Sequence, residues 1–474
     1  VSSVGLLFDQ TEARPMRNVY IELFDMDPDS ELFETSIGSS NSDPDGKYEV
    51  LLNSPKKIKV VVYAKMKNPL TIVWDNYNGN AQYVASSSVH DVSSDEIIDL
   101  HAPSGWVGND ADGSYENPRV AAPFAIIDSI YSAVKKVTDL RSDLVFDPLY
   151  VNWSTQSADG AYYMPWSGNL YLQGKYPIDT DEFDTHLIVH EWGHYFENSL
   201  SRSNSMGGSH GVGDIKDMSL AFGEGFATGL SAMVFEPDAI YTDTLWWNNR
   251  EWGFSMNVEN DLVYADTNPG WFSEVSIQQM VYDLVDDDGG SEAHDSSELG
   301  LGPIIDVLVG DQITTPARTS IFSFIHALKS LHPEESSKID AIVDNKGINT
   351  ITDEWGTGNN AYLSMTGGET KTITLTGGSL ANDLVSNKHI KYLATSNKTK
   401  FTFNGTSPYV ANIIYKNTTP YDSGRSGSYN NANAEYSVTL DTIAGEYYSI
   451  RLFTSKDAVE SALSVSVSIK SEDI

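Results

Sequence analysis

The 474-residue chain contains no cysteine, so neither a disulfide scaffold nor a thiol nucleophile is open to it. Basic residues are scarce as well: 30 Lys plus Arg stand against 66 Asp plus Glu, a formal net charge of −36. That balance argues against nucleic acid or anionic membrane as a partner, since both would repel the chain. Long apolar runs are missing too, and none reaches the roughly 20 residues of a membrane-spanning helix, so membrane insertion is not expected. What is present suffices for packed cores: 40% hydrophobic and 11% aromatic residues mark a globular protein, and the length suggests about three domains.

The most informative stretch is His186-Leu-Ile-Val-His-Glu-Trp-Gly-His-Tyr-Phe-Glu-Asn-Ser-Leu200, which contains the HExxH motif His190-Glu191-Trp192-Gly193-His194. Leu187, Ile188, Trp192, Tyr195 and Phe196 give the segment a buried helical face, with Asp184 or Thr185 as its N-cap. On a helix, positions i and i+4 share one face, so both imidazoles can close on a single ion with Glu191 beside it. Two buried histidines and an interposed carboxylate suit zinc better than two separately satisfied core histidines.

A third ligand is expected from Leu220-Ala-Phe-Gly-Glu224-Gly-Phe-Ala227, on an apolar segment from about Asp217 to Phe235. Glu224 is bracketed by Phe222, Phe226, Leu230 and Met233; burying its charge unpaired would be costly, and a metal compensates it. Asp214 and Asp217 are the alternative third ligands. Two histidines and one carboxylate leave a fourth position open, which marks a catalytic site. Taken together, His190-Glu-Trp-Gly-His194 and the downstream Glu224-Gly-Phe-Ala227 resemble the gluzincin clan of zinc metallopeptidases. The second stretch is similar to the third-ligand motif of gluzincin aminopeptidases and, more loosely, of bacterial collagenases. Arg202 to His210 together with Leu220-Ala-Phe222 also resembles a group of secreted bacterial metallopeptidases from aquatic organisms. Thr228 stands where the thermolysin branch has a supporting aspartate, and Leu200 stands where a metzincin would have its third histidine.

The resemblance implies zinc as cofactor, a protein or peptide substrate, and Glu191 as the general base that relays a water proton to the leaving amine. It also implies an oxyanion donor. His210, in the glycine-rich stretch Gly207-Gly-Ser-His-Gly211, is the first choice, with Tyr264 and Tyr282 as alternatives. Leu149–Val151, Ala161–Met164 and Asn169–Leu172 read as strands ahead of the zinc helix, and Gly168 to Gly174 is a candidate edge strand for extended substrate. Val120 to Leu140 patterns as an amphipathic helix, and the stretch after Glu224 reads as mostly helical.

The charge excess ends at Thr366, beyond which acidic and basic residues number ten each. Seven alternating runs between Lys371 and Ile469 predict a C-terminal β-sandwich that resembles prepeptidase C-terminal domains. Alternation around Val19–Phe24, Lys47–Leu52 and Lys57–Ala64 predicts a second sandwich, and Asp43-Pro-Asp-Gly-Lys-Tyr48 looks like a transthyretin-like or carboxypeptidase-regulatory-like turn. The expected fold is therefore multidomain α+β: an N-terminal sandwich over residues 1–100, a zincin-like catalytic domain over 101–365 and a C-terminal sandwich over 366–474. The C-terminal module is a candidate binder of substrate or of a surface. Calcium is a further candidate ion, at Asp286, Asp287, Asp288, Glu292 and Asp295 or at Asp25, Asp27 and Asp29, although neither group has EF-hand spacing. By analogy the protein is expected to be exported, with a signal peptide removed ahead of Val1. A zinc endopeptidase is the leading reading; an aminopeptidase, or a surface-binding protein with a vestigial metal site, are the alternatives.

Overall fold

The computed structural model describes residues 11–109, 112–235, 239–247, 250–259, 266–286, 292–405, 409–416, 419–420, 426–429, 435–454 and 464–474. It is a mixed α/β protein with several sheets. The chain divides into two compact units, Val1–Ser199 with Leu230–Asn257, and Leu200–Gly229 with Val258–Ile474.

In the first unit, Tyr20–Asp25 pairs antiparallel with Ser36–Asn41 on one side and Lys56–Tyr63 on the other, and Val84–Ser86 and His90–Val92 complete a five-stranded sheet. Period-2 alternation puts Ile21, Leu23, Ile58, Val60 and Val62 on its buried face. Two expectations change here. Lys47–Leu52 joins no ladder, and the second layer of a sandwich does not form among the described residues, because Lys65–Lys67 and Leu70–Asp75 are drawn into a different sheet. That central sheet runs Tyr162–Met164, Asn169–Leu172, Leu149–Trp153, Leu70–Asp75, Lys65–Lys67, with the three middle strands mutually parallel. Val73, Leu149, Val151, Trp153, Leu170 and Leu172 of this sheet are buried, and helix α1 (Ala122–Leu140) contributes Phe124, Ile126, Ile127, Ile130, Val134 and Val137 to the same unit's core. Asn169–Leu172 has a partner on each side, so it cannot take an extended peptide. The edge lies one strand further out, at Tyr162–Met164. Helix α2 (Thr185–Leu200) follows. Helix α3 (Met218–Val234) has its last turn in this unit, and the hairpin Ile240–Trp247 with Arg250–Asn257 interrupts what read as a mostly helical stretch.

The second unit holds the first turns of α3, then α4 (Glu274–Asp283), α5 (Leu301–Val309), α6 (Asp311–Thr314), α7 (Ile321–Leu331) and α8 (Ser336–Asn345). A six-stranded and a four-stranded sheet close it. Met365, Ile390, Tyr392, Tyr448, Ile450 and Leu452 from one sheet share a single core with Ile373, Leu375, Phe401, Phe403, Val467 and Ile469 from the other, as in a β-sandwich.

Candidate metal centre

Helix α2 is buried along Ile188, Val189, Trp192, Tyr195 and Phe196, and that packing fixes which way His190 and His194 face. Their Nε2 atoms lie 3.1 Å apart. A tetrahedral zinc with bonds near 2.0–2.1 Å holds its nitrogens about 3.3 Å apart, so the pair is spaced as one edge of such a site. His190 and Glu191 are almost fully buried and His194 is half-buried. Glu224 is also almost fully buried. Two imidazoles and a carboxylate are a borderline donor set that suits zinc.

Gly225 shows why the Glu-Gly-Phe-Ala stretch needs its glycine. A Cβ there would meet Ile277 at 2.5 Å and the Glu274 carbonyl at 2.6 Å, so only glycine lets α4 approach α3 this closely. The approach delivers Glu274 to the same place as His210, whose Nδ1 is 2.8 Å from Glu274 and whose Nε2 is 3.3 Å from Glu224. Carboxylates thus face both ring nitrogens of His210.

The alternative ligands have other work. Asp214 pairs with Lys216 at 3.2 Å. Asp217 is the N-cap of α3: one oxygen accepts the Ser219 N–H at 3.2 Å, and the other accepts the His389 Nε2–H at 2.6 Å. Burial alone would raise the pKa of Asp217, but Arg451, His389 and Arg318 outweigh it and hold the carboxyl well below its ordinary range. Burial pushes His389 down to about 4, so it donates as a neutral ring. Tyr282 is packed inside α4, and Tyr264 lies outside the described residues. Of the calcium candidates, Asp25 is tied to Lys56 at 2.7 Å and to the Ser30 hydroxyl, while Asp287 and Asp288 lie outside the described residues. Asp283, Glu292 and His294, and likewise Glu259, Asp283 and Asp295, bring ligand atoms within 4.8 Å. Glu259 is pushed up to about 8, first by burial and then by Asp286 and its neighbours.

Tyr241, on the hairpin that sequence reasoning missed, stacks edge-on to His190 with ring centroids 6.3 Å apart. Burial, reinforced by Asp243 and Glu191, holds its phenol well above the ordinary value and therefore protonated. Below it lies a buried acidic belt. The Asp184 carboxyl accepts the Thr244 hydroxyl, and burial lifts its pKa to about 7. Burial also lifts Asp179 to about 6 and Asp181 well above the carboxylate range. An acid whose folded pKa exceeds its unfolded one binds an extra proton in the native state between the two values, so stability falls as pH rises through that window. Unfolding free energies from urea denaturation are accordingly expected to drop between about pH 4 and 7, by at most roughly 1.4 kcal/mol per pH unit for each group involved, and Asp184→Asn should flatten that slope. Asp25, held at about 2 chiefly by its hydrogen bond from Lys56, loses its contribution only below the window. A cavity of about 840 Å³ also lies in this unit, against Val19, Ile21, Phe124, His186 and Thr242; none of the HExxH residues lines it.

With this geometry in view, the family described as the Mycolysin C-terminal domain matches residues 139–312, a stretch that contains α2, α3 and α4. The match associates the chain with metallopeptidases. No curated protein matches. Among solved structures, the chain is similar to the Aeromonas hydrophila periplasmic inhibitor of g-type lysozyme, PliG, at 12% identity over 23% of this chain and 97% of that one, with a TM-score of 0.15. The pre-peptidase C-terminal domain of Bacillus anthracis collagenase is similar at 6% identity over 23% and 96% of the respective chains, with a TM-score of 0.16. Likenesses of that size decide neither fold nor function. Among the described residues no helix is long and apolar enough to cross a membrane.

Proposed function

We propose that the chain is an exported zinc-dependent endopeptidase with a zincin-like catalytic region, in which His190, His194 and Glu224 hold the metal and Glu191 is the general base. The observation that carries this reading is the pair of Nε2 atoms 3.1 Å apart on a buried helix, with the Glu191 carboxylate one residue along. Zinc, when bound, supplies Lewis acidity toward water and toward the carbonyl of a peptide bond. Glu191 takes the proton of the attacking water and gives it to the departing amine, and its burial keeps that carboxylate aimed and poorly hydrated. His210 is the candidate hydrogen-bond donor to the developing oxyanion, and Tyr241, held protonated, is a second. Tyr162–Met164, with one side of its ladder unpaired among the described residues, is the candidate rail for an extended peptide.

The test is cleavage of casein beside aminoacyl anilides, each with and without a chelator. Casein should be cut, the chelator should stop the reaction, and added zinc should restore it. Anilide turnover alone would favour an aminopeptidase, whereas no turnover of either substrate would favour a binding protein and overturn the proposal.

A further inference from the structure

The segment between Leu200 and Asp217, which carries His210, is tied to partners far along the chain. Arg202 donates to the carbonyls of Thr315 and Ala317, and Arg318 donates to the Asn204 carbonyl at 2.7 Å. Around His210 the partners belong to the C-terminal β-rich region. The Leu384 N–H donates to the Ile215 carbonyl, Lys216 and Asp383 form a β-bridge, and the Asp217 N–H donates to the Asn382 carbonyl at 2.9 Å. Asn382 uses its side chain as well. Its Nδ2 donates to the carbonyls of Gly207, at 3.2 Å, and Ser209, at 2.9 Å, while its Oδ1 accepts from Lys216 Nζ at 3.3 Å. Asn382 is buried, and Gly208, between the two carbonyls, has φ +103 and would place a Cβ 2.9 Å from Nδ2. The amide therefore fills a turn shaped around it, one residue before His210.

We propose that Asn382 is a positioning residue: by gripping the Gly207 and Ser209 carbonyls it fixes His210 against Glu274 and Glu224, which makes the C-terminal region part of the active-site machinery. The inference rests on the zinc peptidase reading for its kinetic consequence but not for its structural one. Asn382→Asp keeps the size and the Lys216 contact but turns an acceptor toward two carbonyls, so the turn must open.

The experiment uses the full chain and four proteins: the parent, Asn382→Asp, His210→Ala and the double variant. Hydrogen exchange across residues 204–214 should quicken at least about tenfold in Asn382→Asp, which corresponds to the loss of roughly 1.4 kcal/mol of local protection, with zinc content and unfolding temperature held. In casein-derived peptide assays the single variant should lose about tenfold in kcat with little change in KM, and in the His210→Ala background it should lose almost nothing more, because both changes act through one side chain. Equal losses in the two backgrounds would overturn the proposal, since they would mean that Asn382 does not work through His210. Unchanged exchange across 204–214 would overturn it as well, and that readout stands even if no protein of the set cleaves peptide, an outcome that sinks the peptidase reading alone.

Discussion

Glu191→Gln is expected to reduce casein cleavage by about a thousandfold, within the range that a positioned general base contributes, while leaving one zinc per chain. Glutamine matches glutamate in shape and can stay in the same buried place beside His190, so the fold and the imidazole pair are undisturbed. What it lacks is a carboxylate to take the water proton. Zinc measured by elemental analysis and kcat measured on the same preparation check this together. Loss of metal along with activity would show Glu191 to be a ligand or a structural residue; full activity would remove it from the chemistry.

Glu224→Ala should instead release the metal. Residues that merely support zinc ligands are commonly worth 10- to 100-fold in affinity, so removing a ligand should weaken binding by more than about a hundredfold and take activity with it. Asp217→Asn is the contrasting variant. Asp217 lies seven residues earlier, was an alternative third ligand on sequence grounds, and is committed to the cap of α3 and to His389. Replacing it should leave zinc bound but cost roughly 3 kcal/mol of stability, as expected when one member of a buried charged network is removed. Titration with a zinc indicator and denaturant unfolding of the two variants would separate the roles; metal loss in Asp217→Asn with retention in Glu224→Ala would reverse the assignment.

Much of this was legible because it is local. The apolar stripes of α1, α2 and α3 are periodic, and their observed limits fall within two residues of the expected ones. Seven of the C-terminal strands were equally readable, being alternating or β-branched runs separated by Gly, Asn, Ser and Pro clusters. What escaped depends on residues far apart in the chain. Asp217 reads as a possible ligand until His389, 172 positions away, is seen to occupy it. The expected rail lay one strand too far inward because nothing in Asn169–Leu172 tells how many neighbours it has. Gly225 sat inside the recognised stretch, but its purpose, admitting Ile277, exists only once α4 has packed. The hairpin Ile240–Asn257 drew no expectation, although Ile240-Tyr-Thr-Asp-Thr-Leu-Trp-Trp247 is rich in strand-forming residues.

The parallel pairing of Leu70–Asp75 with Leu149–Trp153 has a practical corollary for anyone dissecting this molecule. A fragment excised at residue 101, where composition alone invites a cut, would strip Leu149–Trp153 of a neighbour and leave its amides and carbonyls bare along a hydrophobic flank. Such a piece would be prone to self-association before it could be assayed. Parallel strands this distant in sequence also meet only after a long loop has closed, so the residues ahead of that cut, about a fifth of the protein, are better regarded as a founding part of the central sheet than as an accessory.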